Sequence, residues 1–595
     1  MKPKPAHKPS RPNPPQRVAV TTAEPAPQPS RHLDLLYALG IVLIGLLIYW
    51  HSLSGPFMFD DSDLMETRSA VRLNDWYIIF TGPRPLTIFS FALNQHWAGF
   101  NAFHFHLVSV SLHLLNALLL WRVVRRICDS PGLAGWLNPW ARSLVVLAAP
   151  LLFLTTPVHT ESVAYISSRS ELLKATFYLL AVLVFFQAAK KRWIAALLSA
   201  FFYGCAVMSK EDALTLPAAL LLVDYFFLAA GDWRQLKKNW AVYGLLGSEM
   251  VAGGFIVLQR IIHVPSAGFF LKDVTWKDYL FTQLRMYFLY LRLLLVPFGL
   301  NVDYDIQPSR SILDHGSWLA LLGIGLLAGG AVYFRQRRVL ASFGTLFFFL
   351  ALAPTSSFYP LLDYAAERRL YLPSVGFFLV ALALLLEWWR HRHALGYFLA
   401  AMVVVYSMGT YSRSRVWQDG LALWQDTAQK SPRKWRVYTW LGLEYTNRGR
   451  FAEATQAYQK ALELVPVHTN EQAEILSSLG STFNNRRMYA DAIPYYEAAL
   501  KITPDISNLW TNLAIAELRL GRPEGWQHFQ KAIEVNPLAW EPHFARGNMY
   551  LQTGRFDEAI RDYERVLNLV PDNADARNNL RAARALKQER EGSRP

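Results

Sequence analysis

Long apolar runs alternate with short charged segments from about residue 35 to Arg413, and no such run follows. Because about 20 consecutive apolar residues cross a bilayer as a helix, this pattern predicts a polytopic bundle of membrane helices. The eleven candidate spans begin near Asp34, Phe103, Arg142, Leu172, Trp193, Ala213, Trp240, Ser317, Val339, Pro373 and Ala394. We therefore predict that residues 33–413 form an all-α membrane domain with about eleven spans.

One further apolar stretch, residues 279–297, carries charge within its hydrophobic sequence. Arg285 and Arg292 lie two turns apart on one face of a helix there. The stretch is either an interfacial or re-entrant helix, whose arginines contact phosphate or lipid headgroups, or a twelfth span. We favour the interfacial helix, because a twelfth span would move the basic cluster at Arg335 to the opposite side of the membrane.

After Arg413 the apolar positions recur with helical spacing, and prolines mark a regular period. Five prolines are spaced by 34, 38, 33 and 34 residues, namely Pro432, Pro466, Pro504, Pro537 and Pro571. This period, with small and aromatic residues at fixed positions, is typical of the tetratricopeptide repeat. Residues 414–595 are therefore predicted to form an α-solenoid of about four repeats, with a polar capping helix at 573–590. Such an array binds an extended peptide or another protein.

The third repeat departs from the usual pattern. It has Ala514 where the first glycine is expected and Glu517 where an aromatic residue is expected. The first, second and fourth repeats keep both positions, so the departure is local.

The net charge of +15 would by itself suggest a nucleic-acid partner. Much of the basic charge, however, lies in short clusters at alternate ends of the apolar runs, as the positive-inside rule describes. We therefore predict contact with a lipid bilayer and no nucleic-acid partner. Residues 1–32 are rich in proline and basic side chains, and we predict that they form a disordered cytoplasmic tail.

An odd number of spans, counted from a cytoplasmic tail, places the repeats on the outer side of the membrane. The chain is thus predicted to be a multi-pass protein of the bacterial inner membrane with periplasmic repeats, or of the endoplasmic reticulum with luminal repeats in a eukaryote. Its two cysteines, Cys128 and Cys205, indicate no disulfide framework.

Charged residues gather on this outer side, beginning with an acidic cluster just after the first span. They are Asp60, Asp61, Asp63, Arg84, His159, Glu161, Arg169, Lys210, Glu211, Asp212, Asp303, Asp305, Glu367, Arg368 and Arg369. Carboxylates beside a bilayer are costly to keep charged and usually have a partner or a function. The set therefore predicts an active site at the outer membrane surface that acts on lipid-linked material.

Several motifs give the chain a resemblance to a known family. They are Phe57-Met58-Phe59-Asp60-Asp61, Arg84-Pro85-Leu86 with His113, the stretch from Pro157 to Ala164, Ser168-Arg169-Ser170-Glu171, Ser209-Lys210-Glu211, Pro297 with Val302-Asp303-Tyr304, and the stretch from Glu367 to Ser374. Together with the repeats they resemble the transmembrane and tetratricopeptide repeat-containing (TMTC) O-mannosyltransferases of the GT-C class and their bacterial relatives. Ser168 and Ser170 stand where members of that family often have Gly and Ala.

The resemblance implies transfer of mannose from a polyprenyl or dolichyl phosphate carrier to a Ser or Thr hydroxyl on the outer side. It also implies that Asp60 and Asp61 are catalytic. A carboxylate can accept the proton of the attacking hydroxyl, and the residues alone do not decide which of the two does so. Without the resemblance, a helix cap in a solvated loop would be the better interpretation of the pair, because acidic pairs are common in loops.

The remaining candidates for substrate binding have structural alternatives. They are Arg84, His159, Glu161, Arg169, Lys210, Glu211, Arg285, Arg292, Asp303, Glu367, Arg368, Arg369 and Tyr371. Arg368 and Arg369 suit a carrier phosphate, but one of them is expected to pair with Glu367 instead. His159 and Glu161 either contact the sugar or fix the acidic loop.

No cofactor is required by this chemistry. Asp60, His159 and Glu161 could hold a divalent metal, although their spacing does not require one, and we predict no metal ligands. Two other functions remain open, a GT-C transferase with a glycan or lipid acceptor and a membrane scaffold that only displays the repeats. The repeats argue against the first, and the charges gathered on one face argue against the second.

Overall fold

The computed structural model describes residues 31–59, 61, 76–187, 192–261, 274–389 and 391–592. Every regular element within these ranges is a helix, in agreement with the predicted all-α class. Residues 1–30 of the predicted basic tail, together with Asp60 and Asp63, lie outside the described residues.

The bundle that precedes the repeats is built from helices of very different lengths. In chain order they are α1 (Arg31–Ile48), α2 (Trp76–Thr81), α3 (Pro85–Ala98), α4 (Ala102–Cys128), α5 (Pro139–Thr155), α6 (Thr160–Ala164), α7 (Arg169–Phe185), α8 (Arg192–Ser209), α9 (Leu216–Val223), α10 (Trp233–Leu236), α11 (Trp240–Ile261), α12 (Trp276–Leu295), α13 (Ser317–Tyr333), α14 (Val339–Leu352), α15 (Pro373–Trp388) and α16 (Arg392–Val416). Short 3-10 helices before and after α6 and before α9 and α15 carry six of the charged candidates, namely His159, Glu211, Asp212, Glu367, Arg368 and Arg369.

Four described helices are long and apolar enough to cross a membrane, namely α1, α4, α16 and the helix that ends at Tyr333. A fifth candidate combines α5 with the segment Pro157–Ala164 and is bent by 48°. The shorter apolar helices Trp193–Ser209, α14 and α15 accompany them. These helices support a membrane protein, whereas the number of eleven spans stays a prediction.

The bend after α5 follows from a proline. Pro157 begins a short 3-10 helix, and the residue before a proline is disfavoured in the α-helical region. Thr156 accordingly has φ −63° and ψ 127°, which is an extended conformation. The bend places His159 and Glu161 in the interior, where both side chains are buried.

Two glycines allow α14 and α15 to approach each other closely. A Cβ atom on Gly344 would meet the carbonyl oxygen of Gly376, and one on Gly376 would meet that of Gly344. Small residues at such contacts are a common way to pack helices inside a membrane. The contact fixes the start of α15 and therefore the short helix Glu367–Leu370 just before it.

The repeat half continues from the bundle with little interruption. Its helices are α17 (Gly420–Lys430), α18 (Trp435–Asn447), α19 (Phe451–Leu464), α20 (Asn470–Asn485), α21 (Tyr489–Ile502), α22 (Ser507–Arg519), α23 (Glu524–Val535), α24 (Glu541–Gln552), α25 (Phe556–Leu569) and α26 (Ala574–Gly592). The helices α18 to α25 pack as four consecutive pairs, and α26 covers the last pair.

The packing within the repeats explains both their regularity and the departure in the third. Tyr458, Tyr496 and Tyr563 are fully buried at equivalent positions of the first, second and fourth pairs. In the third pair, Glu517 is buried and lies 2.6 Å from Nδ1 of His528 on α23. Phe529 is buried at the position of these tyrosines in the third pair, whereas Glu517 stands where the other pairs have Tyr445, Phe483 and Tyr550. The hydrogen bond with His528 keeps this buried carboxylate partnered.

Candidate active site

The acidic loop after α1 is fixed through Asp61. This side chain is buried, and its Oδ1 accepts hydrogen bonds from the backbone N–H and the hydroxyl of Ser167 at 2.8 and 2.6 Å. Its Oδ2 accepts one from the backbone N–H of Met58 at 3.1 Å. Asp61 therefore anchors the loop to the short helix between α6 and α7. The neighbouring candidate, Asp60, lies outside the described residues.

The residue just before Asp60 lies where the bundle meets the repeats. Phe59 has a φ of 53°, which is rare for a bulky side chain and is found where the surroundings enforce it. Its ring centroid is 4.5 Å from that of Trp424, 5.5 Å from that of Tyr165 and 5.6 Å from that of Trp440. The bundle contributes Tyr165, whereas α17 and α18 contribute the two tryptophans. The acidic loop is thus in contact with both halves of the chain.

Arg169, a predicted substrate-binding residue, is fully buried behind this loop. It donates to the side-chain oxygen of Asn94 at 2.6 Å and to the carbonyl of Phe105 at 2.8 Å, and its guanidinium lies 4.5 Å from the ring centre of Phe91. These contacts tie the start of α7 to α3 and α4. The described geometry gives Arg169 a positioning role beside Asp61.

Arg84 and Glu211 form a two-contact ion pair at the edge of the bundle. Nε and Nη2 of Arg84 donate to the two carboxylate oxygens of Glu211 at 2.9 and 2.5 Å. Burial alone would raise the pKa of Glu211, but the Arg84 guanidinium outweighs it and lowers this pKa to about 2. The carboxylate therefore stays ionised, and Arg84 is held in its left-handed conformation at the start of α3.

Lys210, the neighbour of Glu211, points into a buried network of four charges. It contacts Glu171, and Lys174 lies 2.5 Å from Glu171 and 2.8 Å from Asp212. Two cations and two carboxylates balance each other, as burial of charge requires. Lys174 was missed by the sequence analysis. A charged residue three positions after Glu171 in an otherwise apolar helix was the available signal.

His159 and Tyr371 lie in the aromatic core beneath the site. The ring nitrogens of His159 are within hydrogen-bond distance of the Phe153 carbonyl at 2.9 Å and of the Ser374 hydroxyl at 3.0 Å. The hydroxyl of Tyr371 is 2.7 Å from Nδ1 of His113. All these side chains are buried, so the described contacts connect α4, the bend after α5 and the start of α15.

Glu161 joins this core to the short helix before α15. It is buried and accepts the backbone N–H of Arg368 at 2.9 Å and the guanidinium of the same residue. Arg368 also donates to Asp363 at 3.2 Å, and its side chain is 28% exposed. Arg369 is bound instead to the backbone carbonyls of Asp363 and Tyr364, at 2.6 and 3.2 Å. Of the two arginines, Arg368 is the more accessible to a ligand.

The expected ion pair between Glu367 and one of these arginines was wrong. The described contacts of Glu367 are with the backbone N–H of Asn301 and with the hydroxyl of Tyr304, the latter at 2.7 Å. Arg368 binds Glu161 instead, because that carboxylate is buried in the bend and accepts hydrogen bonds from both the backbone N–H and the guanidinium of Arg368. Sequence adjacency could not reveal this choice between two glutamates.

Glu367 provides a testable pH dependence. Burial raises its pKa to about 7, with Arg413 opposing this shift and Glu161 adding to it. Since an exposed glutamate has a pKa of about 4.3, stability from protonated Glu367 is complete below that pH and is lost as the pH rises through about 7. We expect the melting temperature of the wild type to fall across this window and Glu367→Gln to remove that part of the fall. Parallel curves for the two proteins would contradict the assignment, and Glu387→Gln, in a surface pair with Arg338, is the control.

Arg285 and Arg292 lie on one face of α12, as predicted, and contact the segment that follows it. A guanidinium nitrogen of Arg285 donates to the carbonyl of Gln307 at 2.5 Å, and one of Arg292 donates to that of Phe298 at 3.2 Å. The two arginines therefore hold residues 298–307 against the helix. Their predicted contact with phosphate or headgroups stays a prediction.

Asp303, within that segment, binds the first repeat. It is buried and lies 2.7 Å from Nε of Arg436 and 3.0 Å from Nζ of Lys434. The hydroxyl of Ser431 donates to the backbone carbonyl of Asp303 at 2.6 Å. Sequence analysis placed Asp303 among the substrate-binding residues, and the structure places it in the interface between the bundle and α18.

Two of the three side chains suggested for a divalent metal, His159 and Glu161, already have protein partners. The described part of the chain contains no group of three or more His, Cys, Asp or Glu side chains arranged to hold a metal ion. Both ring nitrogens of His159 lie within hydrogen-bond distance of protein atoms, and Glu161 accepts hydrogen bonds from Arg368. These two residues, as placed, do not offer free donors to a metal.

The repeat half matches known sequences directly. Residues 435–466 and 481–525 match the tetratricopeptide repeat family, and residues 547–585 match a further family of TPR repeats. The three segments fall within the four helix pairs α18 to α25 and the start of α26. The predicted repeat type is confirmed.

Most of the chain is also similar to curated proteins. It is 25% identical over 456 residues to protein O-mannosyl-transferase F38B6.6 of Caenorhabditis elegans, covering 72% of this chain and 62% of that protein. It is 25% identical to protein O-mannosyl-transferase TMTC4 of Mus musculus, covering 71% and 65%, and 25% identical to protein O-mannosyl-transferase TMTC1 of Homo sapiens, covering 71% and 54%. The alignments thus span less than two thirds of these relatives. The resemblance indicated by the motifs is confirmed: the chain is a sequence relative of the TMTC protein O-mannosyl-transferases.

Proposed function

We propose that this chain is a membrane glycosyltransferase that transfers mannose from a polyprenyl-phosphate carrier to Ser or Thr hydroxyls of proteins. The observation that carries the proposal is the position of the acidic loop. Asp61 ties this loop to the bundle, while Phe59 contacts Trp424 and Trp440 at the start of the repeats. A sugar donor in the membrane and a protein held by the repeats would meet at this place. The relatives' names support the same reaction.

The proposed reaction is a single displacement at the anomeric carbon of the sugar. The acceptor oxygen forms the new glycosidic bond, the bond to the carrier phosphate breaks with its electron pair, and the configuration inverts. Asp60 accepts the hydroxyl proton, since the oxygens of Asp61 already accept hydrogen bonds from Ser167 and Met58. Arg368 neutralises the departing lipid phosphate, because its side chain is more accessible than that of the adjacent Arg369.

The proposal includes an arrangement relative to the membrane. About eleven spans place the basic tail in the cytoplasm and both the acidic loop and the repeats outside, which is the periplasm in a bacterial inner membrane. The repeats bind the acceptor protein and raise its concentration near the acidic loop. The four long apolar helices support the membrane location.

A transfer assay tests this function. Purified protein in nanodiscs is supplied with radiolabelled polyprenyl-phosphate mannose and a Ser/Thr-rich peptide, and with the glucose and N-acetylglucosamine carriers as donor controls. We expect label on the peptide from the mannose carrier. Transfer only to a lipid or glycan acceptor, or no consumption of any carrier, would contradict the proposal. The second outcome would favour a scaffold that only displays the repeats.

A further inference from the structure

A row of alternating charges connects the first repeat helix to the interior of the bundle. We call it the charge ladder, and it consists of Asp303, Arg436, Asp363, Arg368 and Glu161. Arg436 donates through Nε to Asp303 at 2.7 Å and through Nη2 to Oδ1 of Asp363 at 2.6 Å. Nη2 of Arg368 donates to the other oxygen of Asp363 at 3.2 Å, and Arg368 also binds Glu161.

The two ends of the charge ladder are buried, whereas its middle is partly exposed to solvent. Its two ends, Asp303 and Glu161, are 4% and 1% exposed. The three middle side chains, of Arg436, Asp363 and Arg368, are 31%, 26% and 28% exposed. The middle of the ladder can therefore rearrange at the surface, while its ends are fixed in the protein. Such an arrangement can transmit a change at α18 to Glu161.

Asp363 is the member whose partners can exchange. Each of its carboxylate oxygens accepts a hydrogen bond from one arginine: Oδ1 accepts from Arg436 and Oδ2 accepts from Arg368. A carboxylate with both oxygens free binds a guanidinium most strongly through two parallel hydrogen bonds. If Arg436 were absent, Asp363 would therefore bind Arg368 with both oxygens and draw it away from Glu161.

We infer that Arg436 is a positioning residue that belongs to the membrane site although it lies in the repeats. By occupying one oxygen of Asp363, it keeps Arg368 on Glu161, where Arg368 faces the carrier phosphate. This inference rests on the proposed function for the role of Arg368. It extends that function by making the first repeat a structural part of the transferase site, so that the repeats and the donor site are coupled.

Arg436→Gln and Arg433→Gln form a matched pair for the test. Arg433 lies three residues earlier and pairs with Asp305 at 3.0 Å, and that pair is not connected to Asp363. With saturating short peptide, we expect Arg436→Gln to lower kcat/KM for the carrier by about 10- to 100-fold, since a misplacement of about 1 Å can cost 100-fold. Arg433→Gln should stay within about threefold of the wild type, because exposed ion pairs contribute little.

Two further variants separate positioning from general damage. Asp363→Asn weakens the attraction that would draw Arg368 away, so Asp363→Asn combined with Arg436→Gln should regain most of the lost activity. Arg436→Lys should recover only part, because an ammonium cannot span both carboxylates as a guanidinium does. Equal effects of the Arg436 and Arg433 variants, or no recovery in the double variant, would overturn the inference.

Hydrogen exchange provides a readout that does not depend on activity. The backbone N–H of Arg368 is bound to Glu161 at 2.9 Å, so its exchange reports this contact directly. We expect faster exchange in residues 367–370 in Arg436→Gln and unchanged exchange in Arg433→Gln. If the wild type transfers no sugar, the proposed function fails, and hydrogen exchange alone then tests whether Arg436 keeps Arg368 on Glu161. Unchanged exchange in Arg436→Gln would overturn the inference.

Discussion

Asp60→Asn is expected to lower the turnover of sugar transfer by about two to four orders of magnitude, the usual contribution of a general base. The substitution keeps the size of the side chain and removes its basicity. Binding of the carrier should persist, because the proposed phosphate contact lies at Arg368. The measurement is the rate of transfer to a saturating short peptide across a range of pH, together with the affinity for the carrier.

Asp61→Asn is the natural comparison, and its effect should have a different origin. The Asp61 carboxylate accepts two hydrogen bonds from Ser167, so Ser167→Ala weakens the same anchor without touching either acid. If Asp61 is an anchor, Asp61→Asn and Ser167→Ala should resemble each other and keep the acidic limb of the pH–rate profile. Asp60→Asn should lose that limb.

The opposite pattern would identify Asp61, rather than Asp60, as the general base. If Asp61→Asn loses the acidic limb while Asp60→Asn and Ser167→Ala keep it, Asp61 accepts the proton. Full activity in both aspartate variants would remove the pair from the mechanism.

The repeats were predictable from sequence because their order is local. A fixed period of small and aromatic residues determines each helix pair, and the exception at Glu517 has its partner only eleven residues away. Counting membrane spans was less secure. The helices α14 and α15 have only 14 and 16 residues, shorter than a span, because prolines, glycines and charged segments interrupt the apolar sequence.

The candidate site was predictable as a set of residues and not as a set of contacts. The motifs identified Asp61, Glu161 and Arg368, which the structure brings to one end of the bundle. Their partners are distant in sequence: Arg368 contacts Glu161 across 207 positions, and Arg436 contacts Asp303 across 133. No periodicity encodes such pairs, since they depend on how the helices pack. For the same reason, the division of the sequence into residues 33–413 and 414–595 did not reveal the contacts between the two parts.

The contacts between the bundle and α18 change how removal of the repeats should be tested. Ending the chain at Lys434 would remove all of α18, and with it the contact of Arg436 with the buried Asp303 and the contact of Trp440 with Phe59. A buried carboxylate and an aromatic cluster at the surface of the bundle would then lose part of their cover. We expect such a chain to be poorly folded and inactive on every acceptor. A cut at that position therefore cannot report on acceptor binding.

Deleting residues 467–571 avoids this difficulty. The deletion joins Pro466 to Asp572, which reproduces the natural Pro571–Asp572 junction and lets α26 cap α19 as it now covers α25. The first repeat and its contacts with the bundle are kept. We expect transfer to a short peptide at close to the wild-type rate. Transfer to a protein acceptor should require about 100-fold or more higher concentration, because linked binding sites raise avidity by about that factor.

The measurement is the transfer rate against acceptor concentration for both chains and both acceptors. A selective loss on the protein acceptor would assign the second to fourth repeats to acceptor capture and the first to the transferase itself. Equal losses on both acceptors would mean that the outer repeats also support the catalytic fold. No loss on either acceptor would mean that they bind some other partner. Because the first repeat is retained in every case, these outcomes are independent of the charge ladder.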